Sequence, residues 1–279
     1  MRPTGLLLLA AALTLGVAVA EEVVLDYRAE VTTVTGTPFN LDVPLTTEVI
    51  GVFVYDTATG TDSNPGNTQR GVYHLTSGGA FEARFLDHRI TGSTTPELQV
   101  EDIQVGGGNT IDTFRFIDGD RLINPPGVMS IDSTPDAEIE LGLSITDGSG
   151  AAFTDDLLPA IFPLPMRTGG AYYNHTFTLR DDDGTMSLQF DWLLQRIPNV
   201  PKIIDVQLDG EEPRLLFHSK PDKTYSIEFS TDLKNWEVID PDHPADGYLT
   251  DYVDTGLVAR MGGFPENAYY RLSENAPAG

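Results

Sequence analysis

Val49-Ile50-Gly51-Val52-Phe53-Val54-Tyr55 decides the reading of this chain. The run is apolar almost without interruption, as in a strand covered on both faces rather than one. Its neighbours show a different pattern. Leu25, Tyr27, Ala29 and Val31 alternate with Asp26, Arg28, Glu30 and Thr32; Phe81, Ala83 and Phe85 alternate with Glu82 and Arg84; Phe114 and Phe116 alternate with Thr113, Arg115 and Ile117; and Ile139, Leu141, Leu143 and Ile145 alternate with Glu140, Gly142, Ser144 and Thr146. The dominant period is two. Gly and Pro clusters separate the runs at spacings that suit a sandwich or barrel. No stretch offers a long amphipathic helix. Leu157 to Ile161 fits one short turn, stopped by Pro159, Pro163 and Pro165. No period of roughly 20–50 residues repeats, which disfavours a propeller or solenoid.

One hairpin is registered from sequence. With Asp183-Gly184 at the tip, Asp182 pairs with Thr185, Leu179 with Leu188, Phe177 with Phe190 and His175 with Trp192, which gathers the apolar residues on one face. The same alternation sends Trp192 into the core. A proline-flanked link, Arg196-Ile-Pro-Asn-Val-Pro201, then separates this pattern from another. Beyond it Leu215 and Phe217 alternate with Arg214, Leu216 and His218, and Tyr225, Ile227 and Phe229 with Ser226, Glu228 and Ser230. The reading is an all-β chain with two β-sandwich-like domains: a larger one over 21–197, a link at 198–201 and a smaller module over 202–279.

Residues 1–20 read as a secretion signal. Arg2 precedes an apolar run from Leu6, and Ala18-Val19-Ala20 satisfies the small-x-small cleavage rule. The run is shorter than the roughly 20 residues a spanning helix needs. The expected product is cut after Ala20, carries no membrane anchor and is secreted or periplasmic. The chain's 279 residues contain no Cys, so thiol catalysis, thiolate zinc sites and iron–sulfur clusters are excluded. The formal charge of -25 repels phosphate backbones, so no nucleic-acid partner is expected.

Two resemblances add to this. Tyr225-Ser-Ile-Glu-Phe-Ser-Thr-Asp-Leu-Lys-Asn-Trp236 with Tyr269-Tyr-Arg-Leu272 resembles a small fibronectin-III-like (Fn3/Ig-like) module of secreted proteins of Verrucomicrobia and Planctomycetes. That likeness implies an accessory role without catalysis. Gly51-Val-Phe-Val-Tyr-Asp56, Asp62-Ser-Asn-Pro65 and Gly71-Val-Tyr73, with Ile145-Thr-Asp-Gly-Ser-Gly-Ala-Ala-Phe153, resemble the exported β domains of bacterial PEP-CTERM-type proteins. The Pro-Glu-Pro motif, apolar helix and basic end of that family are missing, so sorting to an anchor is not implied.

Candidate chemistry is sparse. His74, His88, His175, His218 and His243 include no pair three to five residues apart, so no zinc pair of that kind exists. Asp181-Asp182-Asp183-Gly184 invites calcium, as do Asp56, Asp62, Asn64 and Asn67, and Asp118-Gly119-Asp120, but none has the EF-hand spacing. Gly106-Gly-Gly108-Asn109 lies between strand-like runs and reads as a turn. Among 42 acidic residues, some pair meets the separation of a glycosidase by chance. No Gly-x-Ser-x-Gly elbow marks a nucleophile. Tyr172, Tyr173, Trp192, Trp236, Tyr248, Tyr252, Tyr269 and Tyr270 are candidates for stacking on sugars. No catalytic, cofactor or metal residue is selected. The expectation is an exported, non-catalytic protein acting in surface, matrix or polysaccharide interaction, with extracellular polysaccharide or a surface protein as partner; the alternative is a carbohydrate-active hydrolase with the C-terminal module as appendage.

Overall fold

The computed structural model describes residues 22–63, 69–75, 79–92, 97–105, 109–118, 129–132, 134–136, 140–147, 166–167, 173–196, 200–210 and 212–276. Ala18 and Ala20 and the turn read at Leu157 to Ile161 lie outside them. In chain order the strands are β1 (Glu22–Gly36), β2 (Glu48–Asp56), β3 (Gly60–Asp62), β4 (Arg70–Leu75), β5 (Ala80–Phe85), β6 (His88–Thr91), β7 (Glu97–Val105), β8 (Asn109–Asp118), β9 (Met129–Ile131), β10 (Thr134–Asp136), β11 (Glu140–Asp147), β12 (Met166–Arg167), β13 (Tyr173–Arg180), β14 (Gly184–Gln195), β15 (Ile203–Asp209), β16 (Glu212–His218), β17 (Thr224–Ser230), β18 (Glu237–Pro244), β19 (Leu249–Val253) and β20 (Tyr269–Glu274), with a short α1 (Leu257–Met261). The fold is all-β, as the period of two requires.

One antiparallel sheet runs β10-β9-β6-β5-β2-β1-β14-β13-β11-β8-β7-β4-β3, with β12 also on β14. It folds back on itself. Tyr55 of β2 and Phe114 of β8 stand five strands apart along it, about 24 Å if the sheet were flat, yet their ring centroids are 5.8 Å apart. Phe81 of β5 and Phe177 of β13 likewise meet at 5.7 Å. Tyr27 lies among Phe53, Phe81, Phe177 and Phe190, and all five rings are buried.

Gly51 makes room for that ring. It pairs with Tyr27 across β1 and β2, and a Cβ at Gly51 would collide with the Tyr27 phenol and the Glu82 carbonyl. The phenol donates to that carbonyl at 3.2 Å. The glycine is needed here for close approach, not for backbone freedom.

The remaining residues of β2 face the other way. Ile50, Val52 and Val54, with Val24 of β1, form a second buried cluster closed by Leu216 of β16 and by Leu249 at the start of β19. Each such side chain contributes about 1.5–3 kcal/mol when fully buried. The C-terminal segment supplies this cover as two three-stranded sheets, β15-β16-β19 and β18-β17-β20. Leu215, Phe217, Tyr225 and Ile227 pack between them, and Phe217 meets Tyr225 edge-on at 5.4 Å. Strand β16 is therefore two-sided as well: Leu215 and Phe217 face its own sandwich, while Leu216 and His218 face the large sheet.

Two sequence expectations need correction. The β13–β14 hairpin forms, but Arg180 pairs with Thr185, Leu179 with Met186 and Phe177 with Leu188, a register displaced by two residues. Asp181 causes the shift. Its Oδ1 accepts the amides of Asp183 and Gly184 at 3.2 and 2.9 Å, and its own amide donates to the Gly184 carbonyl at 3.1 Å, which puts Asp182 and Asp183 at the tip. Because the displacement is two residues, the apolar face is preserved. Trp192 is only half-buried. A bulge at Asp191, where Arg28 pairs with Trp192 but Ala29 with Phe190, reverses the alternation and sends Leu193 inward instead.

Candidate functional site

The outer face of β1, β2 and β5 carries a row of charges beside its apolar stripe. Val52 pairs with Asp26 on one side and Glu82 on the other; Ile50 pairs with Arg28 and Arg84. The C-terminal sheets cover this row. Glu82 is 3% exposed and Asp26 4%. A buried carboxylate needs compensating donors, and here the donors cross between the two parts of the molecule.

Arg196, just beyond β14, makes one such crossing. Its Nε and Nη2 donate to Asp26 at 3.1 and 2.6 Å. Its Nη1 donates to the carbonyls of Ser219 and Tyr248 at 3.0 and 3.1 Å. Burial raises the Asp26 carboxyl above its ordinary range, and Arg196 opposes that rise. His218 Nε2 lies 3.3 Å from Asp26. Burial, with the charges of Arg196 and Lys202, pushes this imidazole down to about 3, so it is neutral at pH 7.

Arg84 makes the second crossing. Nε donates to Glu82 at 3.0 Å, Nη2 to the Leu249 carbonyl at 2.8 Å, and Nη1 to Asp251 of β19. The Leu249 amide donates to Glu82 at 3.4 Å. Arg89 pairs with Glu82 at 3.0 Å and donates to the Asp246 carbonyl at 3.0 Å. Arg214 donates to Asp251 at 3.2 Å and to Asp87 at 3.4 Å. Tyr248 Oη donates to Glu22 at 2.9 Å.

Beside this second network the two parts leave a cleft of about 400 Å³. Thr47, Glu48, Ile50 and the β5–β6 turn line one side; Asp205, Gln207, Arg214, Leu216 and Asp251 line the other. The turn residue Leu86 is 55% exposed and holds φ at 52°. Every carboxylate of the cleft is engaged by a donor. Asp251 is hydrogen-bonded by Arg84 and Arg214 and Asp87 by Arg214, while Glu48 forms an ion pair with Arg28 at 3.3 Å. Asp205 accepts from the Val206 amide and the Gln207 side chain at 2.9 and 2.8 Å.

The candidates from sequence are dispersed. His88 bonds Asp132 at 2.8 Å on β6 and lines the cleft. His218 stands by Asp26, and His243 lies 3.1 Å from Asp240. His74 is half-buried on β4, and His175 lies opposite Ile145 in the β11–β13 ladder. Asp181 Oδ2 accepts the Phe39 amide at 2.6 Å, and Asp183 accepts from the Asn40 side chain at 3.0 Å, so the Asp181–Asp183 run ties the hairpin tip to the turn at Pro38–Asn40. Asp56 caps the Ala58 amide and Asp62 accepts from Val72. Asn64, Asn67, Gly106–Gly108, Gly119, Asp120 and Tyr172 lie outside the described residues. Asn109 opens β8, Asp118 closes it, and Tyr173 opens β13.

Among the aromatics, Trp236 stacks on the Arg271 guanidinium at 4.3 Å. Tyr252 packs edge-on against His243, and burial helps push its phenol up to about 12. Tyr270 donates to Asp254 at 2.9 Å, and Tyr269 is half-buried at the start of β20. Among the described residues no group of three His, Asp or Glu is arranged to hold a metal ion. No helix among them is long and apolar enough to cross a membrane.

Asp26, Glu82, Arg84 and Arg196 escaped the sequence reading. One signal for three of them was present. If β2 is covered on both faces, the polar residues flanking Ile50, Val52 and Val54 on β1 and β5 fall under the same cover. Comparison with protein-family models, with curated proteins and with solved structures finds no match to this chain.

Proposed function

We propose that this is an exported, non-catalytic protein whose large sheet and C-terminal sheets act together in binding at a surface, matrix or polysaccharide outside the cell. The observation carrying this reading is the state of the cleft carboxylates. Glycoside hydrolysis calls for one carboxyl poised as a proton donor and another free to attack or to activate water. Asp251, Asp87 and Asp205 instead accept hydrogen bonds from guanidinium or amide donors, and Glu48 is ion-paired with Arg28. Such an array suits recognition of a polar ligand. Export is supported by the start of the fold: Val23 is already fully buried, so cleavage after Ala20 leaves all of β1 in the mature chain.

The test is a polysaccharide and surface-protein binding array run beside a reducing-sugar assay. Retention on at least one such target without release of reducing ends is the expected result. Release of reducing ends would support the hydrolase, and absence of binding to any target would discard the proposal.

A further inference from the structure

The cleft constrains the chemistry of its occupant, on the reading that this protein binds a polysaccharide or surface target. Its walls carry three arginines and four carboxylates; Glu48, Asp87 and Asp251 are each paired with an arginine and Asp205 is held by two neutral amides, in a chain of net charge -25. An anionic ligand meets an unfavourable field. A cationic one must compete with guanidinium groups already fixed on Asp251 and Asp87. What the paired groups still offer is alternating donor and acceptor edges. Hydroxyl groups match these, since each donates one hydrogen bond and accepts others.

The apolar component fits as well. Ile50, Leu86 and Leu216 interrupt the polar lining, and Leu86 projects with 55% of its surface exposed from a turn that holds a positive φ. Glycine would occupy that backbone with less strain, so a leucine there has value as a side chain. The volume, about 400 Å³, falls at the lower end of small-molecule sites, roughly 300–1,000 Å³. We propose that the cleft binds a short uncharged saccharide segment, with Gln207, Arg214 and Asp251 meeting its hydroxyls and Leu86 its C–H face.

The experiment is titration of the mature protein with neutral gluco-, xylo- and laminari-oligosaccharides, and in parallel with uronate and sulfated oligomers. Leu86→Gly and Gln207→Ala are compared with Leu45→Ala, a substitution at an exposed position outside the cleft. Binding of a neutral oligomer is expected, weakened at least tenfold by both cleft variants and unchanged by L45A, with melting temperatures preserved in Leu86→Gly and Gln207→Ala. Neutral binding that survives both cleft variants overturns the site while leaving the broader reading intact. Binding of charged oligomers alone overturns the ligand class. Absence of oligosaccharide binding, with a surface protein retained on the array, also overturns this inference. Absence of every target removes the broader reading with it.

Discussion

Arg196 and Asp26 are 170 residues apart in sequence and joined in the structure by hydrogen bonds from Nε and Nη2, the shorter 2.6 Å long. Both side chains are more than nine-tenths buried. The third guanidinium nitrogen, Nη1, binds two carbonyls of the C-terminal segment. A single side chain therefore ties a buried carboxylate of the large sheet to two carbonyls of the covering segment.

Removing it leaves Asp26 buried without its cation. Arg196→Ala is expected to cost about 3–5 kcal/mol, as for other buried pairs broken from one side. Asp26→Asn should cost less, because the amide oxygen still accepts. Urea midpoints at pH 7 measure both.

Gly51 and Gly210 separate close approach from backbone strain. Gly51→Ala forces a methyl group onto Tyr27 and the Glu82 carbonyl, with an expected cost of about 1–3 kcal/mol. Gly210 has φ at 64° and nothing near its missing Cβ, so Gly210→Ala should cost about 1–2 kcal/mol from backbone alone. Introducing Tyr27→Phe into the Gly51→Ala protein, which removes one of the clashing atoms, should recover part of the loss only at position 51.

Acid should loosen the docking. The folded state depresses His218 to about 3, against an ordinary value near 6.5. Between those limits the unfolded chain binds more protons, so stability rises with pH and is lost as pH falls from about 6.5 toward 3. Asp26, raised by burial, works the other way: protonation favours the folded form just above its ordinary value, offsetting part of the loss at the acid end. His218→Gln should flatten the decline in urea midpoint between pH 7 and pH 5. An unchanged slope would contradict the assignment.

Much of this architecture is legible in the sequence, and the failures have local causes. The two-sided burial of Val49 to Tyr55 is visible because no polar residue interrupts the run. The identity of its second cover is not, since Leu216 and Leu249 lie far along the chain. Glu82 and Arg84 look like a solvent face because alternation reports polarity and not burial. Their cross-contacts to Leu249 and Asp251 leave no periodic trace. The hairpin register moved because Asp181 recruited two amides, and Trp192 stayed partly outside because one bulged residue inverted the pattern after it.

The two parts are joined by shared burial of Val52, Val54, Leu216 and Leu249 and by the Arg196 and Arg84 crossings, and are expected to unfold as one cooperative unit. Scanning calorimetry of the protein at pH 7 tests this most directly. A single transition with equal calorimetric and van't Hoff enthalpies is the predicted result. Two separable transitions, one for each part, would contradict it.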